Sequence, residues 1–319
     1  MDAPAPLPDH HRTVGYLGPA GTFTEQALLT QDDLAGLERV PLPSIPDVLA
    51  ATTAADIDLG FVAIENAIEG TVNVTQDVLA FESELLIQRE VVMPVQLHLL
   101  GRPGAALADI ATVQSFPHAT AQCRGYLVEH LPGVATRATN STAEAARLLA
   151  EGDDPSVAAI GTARAAEIYG LATLASDIED HPDNATRFVV VARQGIPAPT
   201  GHDKTSIVVF QRADEPGSLL GILQEFAARA INLSKLESRP TKRGLGDYCF
   251  LIDLEGHLAD EVVADCLRVL RTKQADVRFL GSYPAAGEHG PAVRADAGAA
   301  REAAEAWVAG LRAAIDPAT

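Results

Sequence analysis

The sequence is poor in the residues that build disulfide and metal frameworks. Its 319 residues include three cysteines, Cys123, Cys249 and Cys266, which lie far apart and form no CxxC pair. A disulfide scaffold or a zinc ribbon is therefore a poor interpretation, and we expect reduced thiols in a cytoplasmic protein. None of the nine histidines belongs to an HExxH motif, so no metal site is expected.

Long apolar runs and positive charge are also scarce. No uninterrupted apolar run approaches the roughly 18 residues that a membrane helix needs. The stretch 1–12 is rich in proline and lacks the apolar segment of a signal peptide, so we expect a disordered leader. Lys and Arg number 24 against 43 Asp and Glu, a formal net charge of −19. Such a charge disfavours nucleic acids and anionic membranes as partners, and a small anionic substrate would need a local arginine or lysine.

Apolar residues, by contrast, are plentiful at 47%, which is enough to fill the cores of about two domains. Over residues 13–195, short apolar runs alternate with helical patterns, as in an α/β fold. Residues 196–204 are typical of a linker, and 205–283 show the order βαββαβ of a ferredoxin-like domain. The remaining stretch, 284–319, is rich in alanine, and we expect one helix in it.

Three helix starts are marked by their first residues. Ser44 and Ser141 each precede an acidic residue by three positions, which is the pattern of a capping box. Pro117 is suited to the first turn of a helix, and the apolar spacing predicts that this helix continues to about Leu131.

Two of the four chemically suggestive stretches follow predicted strands near the N-terminus. The glycine-rich stretch 18–24 lacks the Gly-Lys-Ser/Thr of a P-loop, and Thr22 or Thr24 is placed to cap the next helix. Taken alone, the stretch is more simply interpreted as an ordinary strand–helix turn. The stretch 65–70 places Glu65, Asn66 and Glu69 after a strand, where α/β folds bind ligands. A turn that caps the next helix is the alternative.

The other two stretches lie further along the chain. Residues 115–122 hold Ser115, His118 and Gln122. His118 is a candidate general base, but the sequence shows no nearby acid to orient it, so a surface role is the simpler interpretation. Residues 184–188 contain Thr186 and Arg187, and the arginine is the local cation that a substrate carboxylate needs. No Gly-x-Ser-x-Gly elbow or catalytic triad pattern appears, which disfavours hydrolases.

Taken together and in this order, the motifs resemble those of the prephenate dehydratase family. That family has the patterns GPxGTFS/T, ENSxEG, SHPQxxxQC and NxTRF, followed in a second domain by GSL or GAL and by ESRP. In this sequence they stand at residues 18–24, 65–70, 115–123, 184–188, 217–219 and 237–240.

The resemblance implies a fold and an assembly. The catalytic domain, 13–195, would have the two α/β lobes of a type II periplasmic-binding-protein fold, one of about 13–93 with 176–195 and one of about 94–175. The βαββαβ domain would be an ACT domain. Members of the family form dimers or tetramers, so we expect a homodimer or homotetramer.

The resemblance also implies an activity: prephenate loses water and CO2 to give phenylpyruvate in phenylalanine biosynthesis, without a metal or cofactor. Thr186 would act on the leaving hydroxyl, Arg187 would hold a carboxylate, Phe188 would brace the pocket and Glu65 would orient or tune it. Thr22, Asn66, Ser115 and Gln122 would bind the substrate.

The second domain would bind phenylalanine and control the first. By resemblance the effector site comprises the residues of the two ACT motifs, namely Gly217, Ser218, Leu219, Glu237, Ser238, Arg239 and Pro240. A plain folded domain used for dimerisation is the alternative.

Five residues depart from the family pattern. Ala67 replaces a serine, Phe116 and His118 replace the usual histidine and glutamine, Ala63 stands where proline is common, and Asn140 stands where some relatives have glutamate. Two other functions therefore stay open: a non-aromatising prephenate decarboxylase and a non-catalytic amino-acid sensor. Arogenate instead of prephenate as substrate is a further alternative.

Overall fold

The computed structural model describes residues 11–212, 215–242, 247–274, 276–286 and four positions (306, 307, 310 and 312). The chain divides into two compact units, the first reaching to Pro197 and the second beginning at Ala198. Residues 1–10 of the expected leader and most of the expected tail helix lie outside the described residues. Within the described part, no helix is both long and apolar enough to cross a membrane.

The first lobe of the first unit is built on a mixed sheet. Its strands are β1 (Thr13–Leu17), β2 (Glu38–Leu42), β3 (Leu59–Asn66), β4 (Gly70–Thr71), β5 (Leu86–Pro94) and, from much later in the chain, β11 (Ala185–Ala192), in the order β2-β1-β3-β11-β5 with β4 on β3. The helices are α1 (Phe23–Leu29), α2 (Asp32–Ala35), α3 (Ile45–Ala54) and α4 (Asn73–Asp77), followed by a π-helical turn, Val78–Glu82.

The second lobe has its own five-stranded sheet, β10-β6-β9-β7-β8. These strands are β6 (His98–Gly101), β7 (Thr112–Ser115), β8 (Ala135–Ala138), β9 (Val157–Gly161) and β10 (Ala172–Ala175), with a 3₁₀ turn at Leu107–Asp109. Its helices are α5 (Pro117–Gln122), α6 (Arg124–His130), α7 (Thr142–Glu151) and α8 (Ala163–Tyr169). The chain crosses between the lobes twice, from β5 to β6 and from β10 to β11.

Burial explains why the central strands are so apolar. In β3 and β11 nearly every side chain from Leu59 to Val62 and from Phe188 to Ala192 is buried, because helices cover both faces of the sheet. The predicted caps at Ser44 and Ser141 are confirmed, since each hydroxyl accepts the backbone N–H three residues on.

The single helix predicted from Pro117 to about Leu131 is wrong, because it breaks at Cys123. Asp180 supplies the cause: its backbone N–H donates to the Gln122 carbonyl at 2.6 Å, and its carboxylate accepts the Gly125 N–H at 2.9 Å. The Gln122 carbonyl and the Gly125 N–H are thus bonded to Asp180 and not to the helix partners four residues away, so the helix is interrupted at Cys123. The side chain of Cys123 is fully buried, which raises the pKa of its thiol.

The second unit has the predicted order βαββαβ: β12 (Asp203–Phe210), α9 (Ser218–Ala227), β13 (Leu233–Pro240), β14 (Tyr248–Glu255), α10 (Glu261–Lys273) and β15 (Asp276–Pro284). The sheet order is β13-β14-β12-β15, and β14 runs antiparallel to both β12 and β13. Non-sequential neighbours of this kind define the ferredoxin-like arrangement, so this prediction is confirmed.

Candidate active site

The first lobe brings two of the sequence motifs together by strand pairing. Strands β3 and β11 run antiparallel, with Asn66 opposite Thr186 and Glu65 opposite Arg187. Residues 65–66 and 186–187 are thus neighbours although about 120 positions separate them. Since consecutive side chains of a strand point to opposite faces, the pairing forms two small clusters.

The first cluster joins Thr186 to Asn66. The Asn66 amide Nδ2 donates to the Thr186 hydroxyl at 2.9 Å and to the Ala185 carbonyl at 3.3 Å. Its Oδ1 accepts the backbone N–H groups of Ile68 and Glu69 at 3.0 and 2.9 Å. Because two N–H donors hold Oδ1, the amide orientation is fixed and its nitrogen must face Thr186.

The Thr186 hydroxyl oxygen therefore accepts the hydrogen bond from Asn66, and the hydroxyl proton is not used in that bond. A hydroxyl has one donor and two acceptor positions. Among the residues that the structure describes, no acceptor for the Thr186 proton lies within hydrogen-bond distance. This proton is thus available to a ligand.

The second cluster places Arg187 between two carboxylates. Its Nε donates to Glu90 at 2.6 Å, and its Nη1 lies 3.4 Å from Glu65. The Glu90 side chain is 2% exposed, whereas that of Glu65 is 36% exposed. The guanidinium is therefore anchored on its buried side by Glu90, a residue that the motifs did not indicate. The available signal was a charged residue among the apolar residues of 85–92, because charges are rarely buried unless paired.

Phe188, the next residue of β11, anchors this strand in the core of the first lobe. Its side chain is 1% exposed and stacks on Phe61, with ring centroids 5.1 Å apart. The ring belongs to the buried core of the first lobe, which fixes the position of the two residues that precede it in β11.

Helix α5 of the second lobe contacts this site through Gln122 and His118. Gln122 Nε2 lies 3.4 Å from Glu69, and its Oε1 lies 3.4 Å from the amide nitrogen of Asn184. Asn184 is 2% exposed, and its Oδ1 has no hydrogen-bond partner among the described residues. The interpretation that no acid orients His118 is wrong: its Nδ1 lies 3.1 Å from a carboxylate oxygen of Glu69. Forty-nine positions separate the two residues, so local sequence could not reveal the pair.

Two predicted substrate residues use their hydroxyls on the backbone. Thr22 accepts the Glu25 N–H as the cap of α1 and donates to the Leu17 carbonyl at 3.0 Å. Ser115 is fully buried and donates to the Ile160 carbonyl at 2.8 Å. The structure does not bring either hydroxyl into the cluster around Thr186, and their substrate roles stay predictions.

The loop before α1 is held from both lobes. Glu25 accepts the Gly21 N–H at 2.6 Å, while Thr162 donates to the Gly21 carbonyl at 2.9 Å. Burial, together with the Glu25 charge, raises the pKa of Tyr16 to about 12. Gly21 has φ +89°, and an added Cβ would lie 3.3 Å from Ala165, so a glycine is required there.

Two departures from the family pattern, Ala67 and Phe116, lie next to residues of the site, whereas Asn140 belongs to the cap of a helix. Ala67 donates its backbone N–H to the Ala185 carbonyl, and Phe116 stacks on His118 with centroids 5.3 Å apart. Asn140 donates its N–H to Glu144 at 2.6 Å and so completes the cap of α7.

A separate surface cavity of about 630 Å³ lies in the second unit. Four of the predicted effector residues line it: Gly217, Ser218, Leu219 and Ser238. Glu237 and Arg239 alternate with Ser238 along β13 and form an ion pair of 3.9 Å away from the lining. Pro240, which ends β13, is not part of the lining either. Leu220, Leu223 and Phe250 add apolar surface, and the hydroxyl of Ser218 donates to Gln211.

Two α/β lobes with a polar site, followed by a βαββαβ domain, define a two-domain α/β enzyme of the periplasmic-binding-protein-like type with an attached ACT domain. Comparison with known proteins agrees. The family model "Prephenate dehydratase" matches residues 14–196, and the model "ACT domain" matches residues 205–272. The chain belongs to the prephenate dehydratase family, whose enzymes are carbon–oxygen lyases.

Individual relatives are similar over nearly the whole chain. Prephenate dehydratases of Mycolicibacterium vanbaalenii and Mycobacterium tuberculosis are 43% and 42% identical, each over 94% of this chain and 98% and 94% of their own lengths. A crystal structure of a prephenate dehydratase from Arthrobacter aurescens in complex with L-Phe has a TM-score of 0.83 at 43% identity, over 94% of this chain and 99% of that one. A structure described as a quorum-quenching acylase, GqqA, has a TM-score of 0.78 at 29% identity, over 86% and 98%.

Proposed function

We propose that this chain converts prephenate to phenylpyruvate at the Thr186 cluster and that phenylalanine controls the reaction from the second unit. The family membership supports the reaction class. The observation that carries the proposal is the Thr186 hydroxyl, which accepts from Asn66 and keeps its own proton for a ligand.

The reaction needs a proton at one oxygen. Prephenate is a dianion whose ring bears a hydroxyl para to a carboxylate. The bond between the ring and the carboxylate breaks and releases CO2, and its electron pair moves through the ring. The carbon–oxygen bond of the hydroxyl then breaks, and the oxygen leaves as water once it has received a proton. Aromatisation drives the reaction, so the barrier lies in the poor leaving group.

Thr186 is suited to help this leaving group as a hydrogen-bond donor or proton relay. A threonine hydroxyl is too weak an acid to lose its proton outright, but Asn66 holds it in one place. Positioned proton donation raises reaction rates by about 10²–10⁴-fold. The fixed amide means that no reorientation is needed during the reaction.

Arg187 is proposed to hold a substrate carboxylate, and Glu65 to tune that contact. Glu90 retains the Nε side of the guanidinium at 2.6 Å. On the other side, the contact with Glu65 is longer at 3.4 Å and more exposed, so we propose that the substrate carboxylate approaches the guanidinium there. Asn66, which contacts Thr186, and Gln122, which contacts Glu69, are proposed to bind the rest of the substrate.

The cavity of the second unit is the proposed phenylalanine site. Its apolar lining suits an aromatic ring, and α9 begins at its edge, where free backbone N–H groups attract a carboxylate. The related structure from Arthrobacter aurescens contains L-Phe. We also propose that the chain forms a homodimer or homotetramer, which is supported by the exposed Leu220, Leu236 and Tyr248 of this unit. We propose the cytoplasm as its location.

The test is to incubate the purified protein with prephenate and to measure phenylpyruvate by its absorbance in alkali. Formation of phenylpyruvate supports the proposal. Loss of CO2 with retention of the hydroxyl, detected by mass spectrometry, would show the decarboxylase alternative. Phenylalanine should change the rate, and Ser238→Phe, which fills the cavity, should raise the phenylalanine concentration needed at least about tenfold, as expected for about 1.4 kcal/mol of lost binding.

A further inference from the structure

The turn between β3 and β4 carries a carboxylate that is rigidly linked to Thr186. Glu69 donates its backbone N–H to Asn66 Oδ1 at 2.9 Å, and the same Asn66 side chain donates to the Thr186 hydroxyl. Two hydrogen bonds of the Asn66 amide therefore link the backbone of Glu69 to the proposed catalytic hydroxyl, so a shift of Glu69 would move that hydroxyl's partner.

The second lobe contacts both oxygens of this carboxylate. His118 Nδ1 lies 3.1 Å from one oxygen of Glu69, and Gln122 Nε2 lies 3.4 Å from the other. His118 and Gln122 are four positions apart on α5, so they lie on the same face of that helix. One helix of lobe two thus binds Glu69 of lobe one at two points.

Charge gives His118 a second effect. The proposed substrate is a dianion, the whole chain has a net charge of −19, and Glu69 adds a negative charge beside Asn66. A protonated His118 cancels that charge beside Asn66, the residue that contacts Thr186. Phe116 stacks on the ring with an interplanar angle of 16°, which fixes the ring plane.

The charged surroundings of His118 are simple. Among the described residues, the ionisable group within ion-pair distance of its ring is Glu69. The other carboxylates of the site, Glu65 and Glu90, contact Arg187.

On the basis of the proposed function, we propose that His118 is a positioning residue for the dehydration. In its protonated form it binds Glu69 together with Gln122, draws the two lobes together at the substrate entrance and neutralises the carboxylate beside Asn66. Histidines change charge between about pH 5 and pH 8, so substrate binding by this chain should weaken as the pH rises through that range. A glutamine, usual in the family at this position, would bind Glu69 without any such pH dependence.

The experiment compares the wild type with His118→Gln and Glu69→Gln in kcat and KM between about pH 6 and pH 8.5, with uncatalysed conversion subtracted. Since exposed ion pairs are weak, the wild-type KM should rise about two- to fivefold over this range while kcat changes less. In both variants KM should stay level. His130→Gln, an exposed histidine of α6, is the matched control and should keep the wild-type profile. Thermal unfolding of each variant checks that its fold is retained.

Two outcomes would overturn the inference. One is a His118→Gln enzyme that keeps the wild-type rise of KM with pH. The other is a His118→Gln/Glu69→Gln double variant whose effects on KM are the product of the single effects, because independent residues show no coupling. A wild type that forms no phenylpyruvate would instead overturn the proposed function, and this inference with it.

Discussion

The two lobes of the first unit hold their polar groups in different ways. Within lobe one, Arg187 contacts Glu90 at 2.6 Å and Asn66 contacts Thr186 at 2.9 Å, and the Glu90 side chain is 2% exposed. Across the lobes, His118 and Gln122 contact Glu69 at 3.1 and 3.4 Å, and the side chains of His118 and Glu69 are 59% and 45% exposed.

The difference between the contacts within lobe one and those across the lobes indicates two different roles. Short contacts whose positions follow from strand register are organised before a ligand arrives, as electrostatic catalysis requires. Long and exposed contacts are weak and are screened by salt, so they adjust easily. We therefore assign the chemistry to lobe one, and substrate entry and closure to the contacts from lobe two.

The largest expected effect concerns the buried ion pair of lobe one. Arg187→Met removes the cation that faces the buried Glu90, and breaking such a pair costs about 3–5 kcal/mol. Urea unfolding should show this loss of stability. The double variant Arg187→Met/Glu90→Gln removes the buried charge as well and should recover much of it. A loss below about 1 kcal/mol in the single variant would place this pair with the weak exposed contacts.

A smaller effect is expected at the start of lobe one. The Asp58 carboxylate accepts the backbone N–H groups of Arg12 and Thr13 at 2.8 and 3.1 Å. These bonds, led by that from Arg12, lower the pKa of Asp58. The charged form is thus favoured in the folded state, so its stabilisation is present above the ordinary carboxyl pKa of about 3.9 and is lost as the pH falls through the lowered value.

Asp58→Asn should accordingly lower the free energy of unfolding by about 1–2 kcal/mol at neutral pH. The difference from the wild type should shrink below about pH 3.9. Thermal unfolding as a function of pH measures both. A difference that stays constant down to pH 2 would show that the carboxylate charge is not what these N–H groups stabilise.

The smallest effect is expected for a contact from lobe two. Gln122→Ala should raise KM by no more than about fivefold and change the unfolding temperature little, since both of its side-chain contacts are long, at 3.4 Å. Gln122→Glu places a second carboxylate opposite Glu69 and should raise KM further. If Gln122→Ala instead lowered kcat strongly, lobe two would share in the chemistry and the division between the lobes would fail.

Much of the fold follows from local signals in the sequence. The caps at Ser44 and Ser141 mark helix starts because a hydroxyl satisfies a free N–H three residues on, and the order βαββαβ follows from apolar periodicity. The break at Cys123 could not be predicted, since it depends on Asp180, 57 residues away.

The residues of the candidate site likewise fall into those that local sequence indicates and those that it does not. The motifs around Asn66 and Thr186 could be found because each is a short contiguous stretch. The pairing of Glu90 with Arg187 and that of Glu69 with His118 could not, because strand pairing and the packing of α5 bring together residues that no local pattern links.

The central claim is that the Thr186 hydroxyl donates to the leaving oxygen of prephenate, and the kcat of Thr186→Val tests it most directly. Valine keeps the shape of the side chain and removes the hydroxyl. We expect kcat to fall at least about a hundredfold, as for loss of a positioned proton donor. Phenylpyruvate should still bind, as calorimetry would show, and Thr186→Ser should retain most of the rate. A Thr186→Val enzyme with the kcat of the wild type would contradict the account.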